Sequence, residues 1–411
     1  MIESPTTSDE PQGQYGLLGA SVLLSMGLWF SASAVVPQLA GHFALADGQL
    51  ATLTVSVQLG FVIGALASAF TGLADRLALP TLIATSAALA ALANGLITFP
   101  GVSFELALVL RAITGMLLAG VYPPAMKLVA SWTRRRRGYW VGVLIGALTL
   151  GSSTPHLLNA LLGAADDGAS WRTILLGASA LALLGAALAL ALRLGPFAPP
   201  PGSGAFHWRE VPALVGARDV RLANLGYLGH MWELYAMWTW MPLYLSFSFA
   251  NAGWDSSTAR WLAFIAIAAG APGCVLAGWW ADRIGRTAST AIAMTVSGLA
   301  AIGAALTFGH PGWLAPICML WGVAVIADSA QFSAAVSELT PPHRIGTALT
   351  LQTALGFLLT MVSIQLVPVV ADAVGWPVAM ASLALGPAVG TVAMLLLRRL
   401  PEAKAMAGGR R

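Results

Sequence analysis

The chain has 411 residues, 57% of them hydrophobic and only 9% charged, and its mean hydropathy is +0.77. Soluble domains carry about 25% charged residues, so an ordinary soluble domain is excluded and an integral membrane protein is indicated; a β-barrel is disfavoured too, because the apolar runs are long and unbroken instead of alternating with period two. The net charge of +4 and the pI of 9.4 do not point to nucleic acid, since most of the positive charge lies in short turns between apolar stretches, where it sets topology.

Residues 1–14 contain Glu3, Asp9 and Glu10 and no Lys or Arg. The apolar run that follows is too long for a signal-peptide core of about 7–15 residues, so it is expected to persist as a first spanning helix. A spanning helix needs about 20 apolar residues. Twelve such segments are predicted, near 15–39, 48–70, 78–99, 103–132, 138–164, 171–194, 220–248, 257–280, 287–308, 311–339, 346–371 and 377–397.

Lys and Arg orient them. With both termini cytoplasmic, the inner side holds Arg76, Arg134 to Arg137, Arg193, Arg209, Arg218, Arg221, Arg283, Arg286, Arg344 and the tail cations Arg398, Arg399, Lys404, Arg410 and Arg411; the outer side holds only Arg172 and Arg260. The expected location is the inner (plasma) membrane, with the lipid bilayer as the protein's solvent and no nucleic-acid partner. The longest connection, 195–219, begins Gly-Pro-Phe-Ala-Pro-Pro-Pro-Gly-Ser-Gly, a linker composition. It divides the chain into an N-terminal tail (1–14), a six-helix bundle (15–194), the linker, a second six-helix bundle (220–398) and a C-terminal tail (399–411). The stretch after the Pro/Gly run is expected either to lie along the cytoplasmic surface as a short amphipathic helix or to act as a plain tether.

Two charged turns stand at corresponding places in the two halves. One reads Gly278-Trp-Trp-Ala-Asp282-Arg283-Ile-Gly285-Arg286-Thr287; a worn copy reads Thr71-Gly-Leu-Ala-Asp75-Arg76-Leu-Ala78-Leu79. Repeats of this kind in a bilayer suggest a transporter built from two similar halves. The 6+6 layout and the turn pattern resemble the major facilitator superfamily across essentially the whole chain. In that family the turn reads approximately G-x-x-x-D-R-x-G-R-(K/R) and serves as a gate. The second copy fits at Gly278, Asp282, Arg283, Gly285 and Arg286; the first keeps Asp75 and Arg76 but has Thr71, Ala78 and Leu79 in place of two glycines and an arginine. Arg111-Ala-Ile-Thr-Gly115 is similar to the family's R-x-x-x-G pattern, associated with proton-coupled members. Gly138, Gly142, Gly146, Gly151 and Pro155 partly match a Gly-rich helix of family antiporters; close helix packing explains them equally well. The fold implied is all-α, with twelve transmembrane helices in two pseudo-repeat bundles.

A charge at membrane depth costs at least ~2.5 kcal/mol unless paired or wet. Arg111 lies about two turns into its segment, and Glu233 and Asp328 lie near mid-span, so each is a candidate functional residue; Glu105 and Glu338 lie nearer segment ends. Helical spacing aligns His230, Glu233 and Trp240; Trp321, Asp328 and Gln331; Arg111, Gly115 and Tyr122; and Ser25, Trp29 and Ser33. The resemblance implies that these four helices surround a central cavity. A carboxylate shielded from water takes up a proton more readily, so Glu233 with His230, then Asp328, are the expected proton-coupling groups, with Arg111 holding a deprotonated carboxylate or an anionic substrate. Structural ion pairs between the halves are the plainer alternative. Trp29, Ser33, Arg111, Tyr122, His156, His230, Trp240, Trp321, Gln331 and Gln352 are the candidate substrate-binding residues. Trp232, Tyr235, Trp238 and Trp240 go all round their helix, so they cannot all face one cavity. Lys127 is read as a snorkelling lysine.

The function expected is secondary active transport of a small anionic or zwitterionic solute by alternating access, coupled to protons. Multidrug efflux against protons is the alternative, and a membrane sensor without transport is the alternative from another class. No enzyme activity is expected, since no nucleophile–base pair stands out. No cofactor or metal is expected: Cys274 and Cys318 sit apart in apolar segments, the histidines do not cluster, and no G-x-x-x-x-G-K-(S/T) loop occurs. The protein is expected to be a monomer.

Overall fold

The computed structural model describes residues 12–46, 49–132, 137–162, 170–198 and 206–410. Arg134 to Arg136, Arg411, most of the N-terminal tail and the Pro/Gly run at 199–205 lie outside the described residues.

The first half contains α1 (Gln12–Phe30), a 3-10 turn (Ser33–Val35), α2 (Val36–Phe43), α3 (Thr52–Thr71), the one-turn α4 (Leu73–Arg76), α5 (Leu79–Leu96), α6 (Phe104–Leu118), α7 (Tyr122–Trp132), α8 (Arg137–Leu162) and α9 (Trp171–Ala189). A short α10 (Val211–Gly216) follows in the connection. The second half contains α11 (Arg218–Asn251), α12 (Ser256–Ala268), α13 (Gly270–Ile284), α14 (Arg286–Leu306), α15 (Pro311–Ala327), α16 (Ser329–Leu339), α17 (Ile345–Val374), α18 (Trp376–Ser382) and α19 (Leu385–Arg398), then a 3-10 tail, Pro401–Gly409.

These helices form twelve membrane spans. Ten stretches are long and apolar enough to cross a membrane, and α1–α2, bent by 49°, makes an eleventh. The remaining one is α11, 34 residues long; its apolar character is diluted by Asn224, His230 and Glu233.

Five spans are interrupted instead of running through as continuous helices: 1 (α1–α2), 4 (α6–α7), 8 (α12–α13), 10 (α15–α16) and 12 (α18–α19). In four of them a proline lies in the first turn of the second piece: Pro37, Pro123 and Pro124, Pro272, and Pro387. Proline has no N–H to give a preceding carbonyl and its ring clashes there, yet it suits a helix start. Span 10 breaks at Asp328 without one.

Small residues set the packing. A Cβ on Gly60 would lie 1.8 Å from Ala112 O, and one on Gly115 2.0 Å from Val57 O, so spans 2 and 4 touch through backbone. The halves meet where α8 packs on α12 and α13, and α3 on α17. At the α8 contact, Cβ atoms on Gly142 and Gly146 would stand 2.9 and 3.0 Å from Cys274 O and Ala271 O, so close approach explains these glycines.

With twelve spans, the connections alternate between two faces. The charged face carries α4, the turn at Gly285, residues 206–217 and the C-terminal tail; Arg172 and Arg260 belong to the opposite face.

Candidate functional site

At the heart of the first half, Arg111 is fully buried. Its guanidinium donates to Trp29 O (2.5 Å), Leu28 O (2.8 Å), Asn94 Oδ1 (3.0 Å) and Ser31 Oγ (3.1 Å), and its Nε to Leu53 O (3.3 Å). The bend after α1 explains this choice. Leu28 and Trp29 are in the last turn of α1, where carbonyls lose their intrahelical partners and a cation meets the negative end of the helix dipole. Asn94 completes the site, giving its amide to Leu175 O and Ser179 Oγ, both at 3.1 Å. Arg111 is not brought to Glu233 or Asp328; among the described residues its ligands are all uncharged.

In the second half the three ionisable groups separate into two sites. Glu233 accepts from Trp321 Nε1 and from Ser297 Oγ, each at 2.7 Å, which ties α11 to α15 and α14. His230 Nδ1 lies 2.8 Å from Asp328 Oδ1. All three side chains are buried, and His230 Nε2 has no hydrogen-bond partner. His230 therefore sits with Asp328, not with Glu233, and Trp321 is committed to Glu233.

Between the halves six rings meet: Trp29, Phe30 and Phe61 from the first, and Tyr235, Trp238 and Phe357 from the second. Phe61 and Phe357 are closest, at 4.4 Å between centroids; Trp29 lies 5.6 Å from Tyr235 and 5.5 Å from Phe357. All six are buried, so the seam is closed at this depth. Several buried polar atoms lack partners: Trp29 Nε1, Trp238 Nε1, and both amide atoms of Gln58 and of Gln352. Buried polar groups are normally bonded, so these side chains are the polar groups of the seam that the protein itself leaves without a partner. Trp232 is turned elsewhere, giving its N–H to Ser382 O at 3.4 Å.

On the charged face, Asp75 of the first turn is ion-paired with Lys127 of α7, so this lysine is held by the turn; Arg76 is exposed. In the second turn, Gly278 is buried, Gly285 has φ 94°, and Arg286 makes a bidentate pair with Glu338 (2.6 and 2.7 Å) plus a bond to Gln331 Oε1 (2.7 Å). Gln331 thus serves the turn. Arg286 is also 3.9 Å from Asp282, and Arg283 stacks over Trp279 at 3.5 Å.

On the opposite face a cavity of about 220 Å³ opens at the seam, lined among others by Ser33, His156, Asn159, Trp240 and Arg260. Ser33, His156 and Trp240 line it; Arg111, Tyr122 and Gln352 are not among its lining residues. Sequence reasoning missed Asn94, Ser297, Gln58 and the site role of Arg260. Asn94 and Gln58 carried a signal, an amide inside an apolar run; Ser297, in a helix of small residues, carried none.

Two six-helix bundles closing on a mid-depth seam, with ionisable side chains buried beside it, define a multi-pass membrane protein of transporter architecture. The family model described as Major Facilitator Superfamily matches residues 17–364 and 223–410, and the chain belongs to that family. Among solved structures, a bacterial homologue of the human lysosomal transporter Spinster, inward-facing and unoccupied, aligns over 96% of this chain and 98% of its own at 14% identity and TM-score 0.75. The proton:xylose symporter XylE bound to 6-bromo-6-deoxy-D-glucose aligns over 96% of both chains at 16% identity and TM-score 0.73. At these identities the likeness is one of fold. The MFS-type transporter pytF of Aspergillus terreus (strain NIH 2624 / FGSC A1156) is 26% identical over 184 residues, 44% of this chain and 59% of that relative. The match therefore spans little more than half the relative's length.

Proposed function

We propose that the protein is a secondary transporter that moves a small anionic or zwitterionic solute by alternating access, coupled to protons. Residues 15–194 and 220–398 are the two rocking bodies, joined by 195–219. The observation that carries this reading is the burial of His230, Glu233 and Asp328 at membrane depth beside a seam of aromatic contacts and close glycine packing. Among the described residues no ion pair joins the two halves, so such a seam parts without breaking one. Charges at that depth are retained where they serve a path.

In this reading Asp328 and Glu233 take up and release protons as the seam opens to one side and then the other, with His230 as partner to Asp328. The turns at Asp75–Arg76 and Asp282–Arg286 gate the charged face, which the positive-inside rule assigns to the cytoplasm of an inner membrane, with both termini there. The protein works as a monomer. The six-ring seam favours a second reading, multidrug efflux against protons, since stacked aromatics receive apolar and cationic bodies.

Purified protein in liposomes loaded with a pH-sensitive dye tests both readings against small anions, zwitterions and amphipathic drugs. A solute-dependent pH change that is lost in Glu233→Gln or Asp328→Asn and kept in Glu402→Gln, an exposed tail residue, supports proton-coupled transport; the sign gives direction and the active solute selects the class. Solute movement without any pH change, unaffected by both substitutions, sinks the coupling.

A further inference from the structure

The end of the connection between the halves, 206–217, is fastened to the second half. It folds as a 3-10 turn (Trp208–Glu210) and then α10, with Pro212 in the first turn, where proline suits a helix start. The backbone N–H of His207 donates to Thr347 Oγ1 at 3.0 Å, and Glu210 is ion-paired with Arg344 at 2.5 Å. Leu214 is buried, and α10 packs on α11 and α17. Arg344 and Thr347 stand at the charged-face end of span 11, and α11 continues the chain from Arg218.

Its contact with the first half is of another kind. Phe70, in the last turn of α3, meets Phe206 edge-on at 5.1 Å and lies nearly parallel to Trp208 at 5.4 Å, and Phe206 meets Trp208 edge-on at 5.0 Å. Rings in these arrangements attract one another. Trp208 is 69% exposed and Phe70 47%, so the cluster belongs to neither core and neither half needs it to stay folded. Among the described residues no ion pair joins 206–217 to the first half. Phe70 stands just before the first charged turn, which has Leu79 where the second has Arg286, so the fork that Arg286 makes on Glu338 has no counterpart at that position.

The ring cluster lies at the charged-face end of the contact between α3 and α17, where the two halves meet. We infer that 206–217 is a strap carried by the second half, whose Phe206 and Trp208 clasp Phe70 and hold the charged-face end of the α3–α17 seam shut. Parting the halves there takes Phe70 away with α3, while the Glu210–Arg344 pair, the His207 bond and Leu214 keep the strap on the second half. The clasp is the joint that yields, because about 1 Å of separation already forfeits much of a dispersion contact. It biases the closed state without locking it. That this opening serves transport rests on the alternating-access reading; the clasp itself does not.

The test is the distance between spin labels on Arg193→Cys and Lys404→Cys, exposed positions on the charged face of the first and the second half. It is measured by pulsed electron spin resonance on the purified full chain carrying Cys274→Ser and Cys318→Ser. Phe70→Ala and Trp208→Ala each raise the ratio of long to short distances about three- to tenfold, the weight of one or two ring pairs. Trp208→Phe, which keeps a ring, stays near the parent ratio, and Arg209→Ala, an exposed strap residue outside the clasp, leaves it unchanged. Trp208→Ala on top of Phe70→Ala adds nothing, since the two remove one clasp. A ratio unmoved by Phe70→Ala or Trp208→Ala, effects of the two that simply add, or an equal shift in Arg209→Ala overturns the inference. The distances are read without solute or gradient. A clasp that sets them in a chain that moves no solute in the dye-loaded liposomes keeps the strap and sinks the transport reading. Distances indifferent to the clasp in a chain that does move solute sink the strap alone.

Discussion

His230 Nδ1 and Asp328 Oδ1 lie 2.8 Å apart, both side chains almost fully buried, at the point where span 10 is interrupted between α15 and α16. Asp328 occupies the junction itself, so its backbone is free of regular helix on one side while Gln331 N bonds its carbonyl at 2.8 Å. Asp328→Asn keeps the shape and removes the charge. We expect folded protein, destabilised by about 1–3 kcal/mol in thermal denaturation, with the solute-linked pH signal lost. An unchanged signal takes Asp328 out of the proton path.

Arg111 and the last turn of α1 form a second unit. The five bonds it makes need a planar fork with several donors, which a lysine lacks. Arg111→Leu leaves Leu28 O, Trp29 O and Asn94 Oδ1 buried without this partner, at about 1–3 kcal/mol per orphaned acceptor. Arg111→Lys recovers only part. Both variants are expected to lower the melting temperature strongly and Arg111→Lys less so; equal stability of Arg111→Leu and wild type contradicts the capping role.

The spans and charged turns were legible because they are local: apolar length, and Asp-Arg between two apolar runs. So was the costliest polar set, since an ionisable residue in an apolar run stands out. What was not legible is partnership. Same-face spacing joined His230 to Glu233 within one helix, but the partner of each came from other helices, Asp328 for one and Trp321 with Ser297 for the other. The sequence points Arg111 to a carboxylate or an anionic substrate, because the bend that frees the α1 carbonyls leaves only Pro37 as its trace. The interruptions were written in Pro123, Pro272 and Pro387, but apolar length masks them when spans are only counted.

The glycine contacts separate packing within a half from packing across the seam. Gly60→Ala places a methyl 1.8 Å from Ala112 O, and overpacking of backbone on backbone is expected to cost about 3 kcal/mol or more. Gly72→Ala meets no atom within 4 Å but sits at φ 62°, for about 1–2 kcal/mol. Gly142→Ala is the informative one, because its methyl would press on Cys274 O across the seam at 2.9 Å. In a Cys318→Ser background it is expected to raise maleimide labelling of the buried Cys274 while each half stays folded. Gly60→Ala labelling Cys274 equally, at equal stability, overturns the distinction.

The second charged turn is held by one carboxylate. Glu338 takes both ends of the Arg286 fork and also the backbone N–H of Ala407 at 3.0 Å, so it joins the turn, α16 and the C-terminal tail, whose Ala403 and Met406 are buried. Arg410 adds a bond to Asp282 O. A bidentate pair this sheltered has hydrogen bonds to charge worth about 1.5–3 kcal/mol. Arg286→Ala and Glu338→Ala are therefore expected to destabilise by similar amounts and to be strongly non-additive in a double-mutant cycle. Arg283→Ala, which loses an exposed stack on Trp279, is expected to cost about 0.5–1 kcal/mol or less. Deleting the chain after Leu400 removes the Ala407 contact and should weaken the Arg286–Glu338 coupling measured in the same cycle. Undiminished coupling in the truncated chain means that the turn and α16 hold each other without the tail, and that Met406 is buried for packing alone.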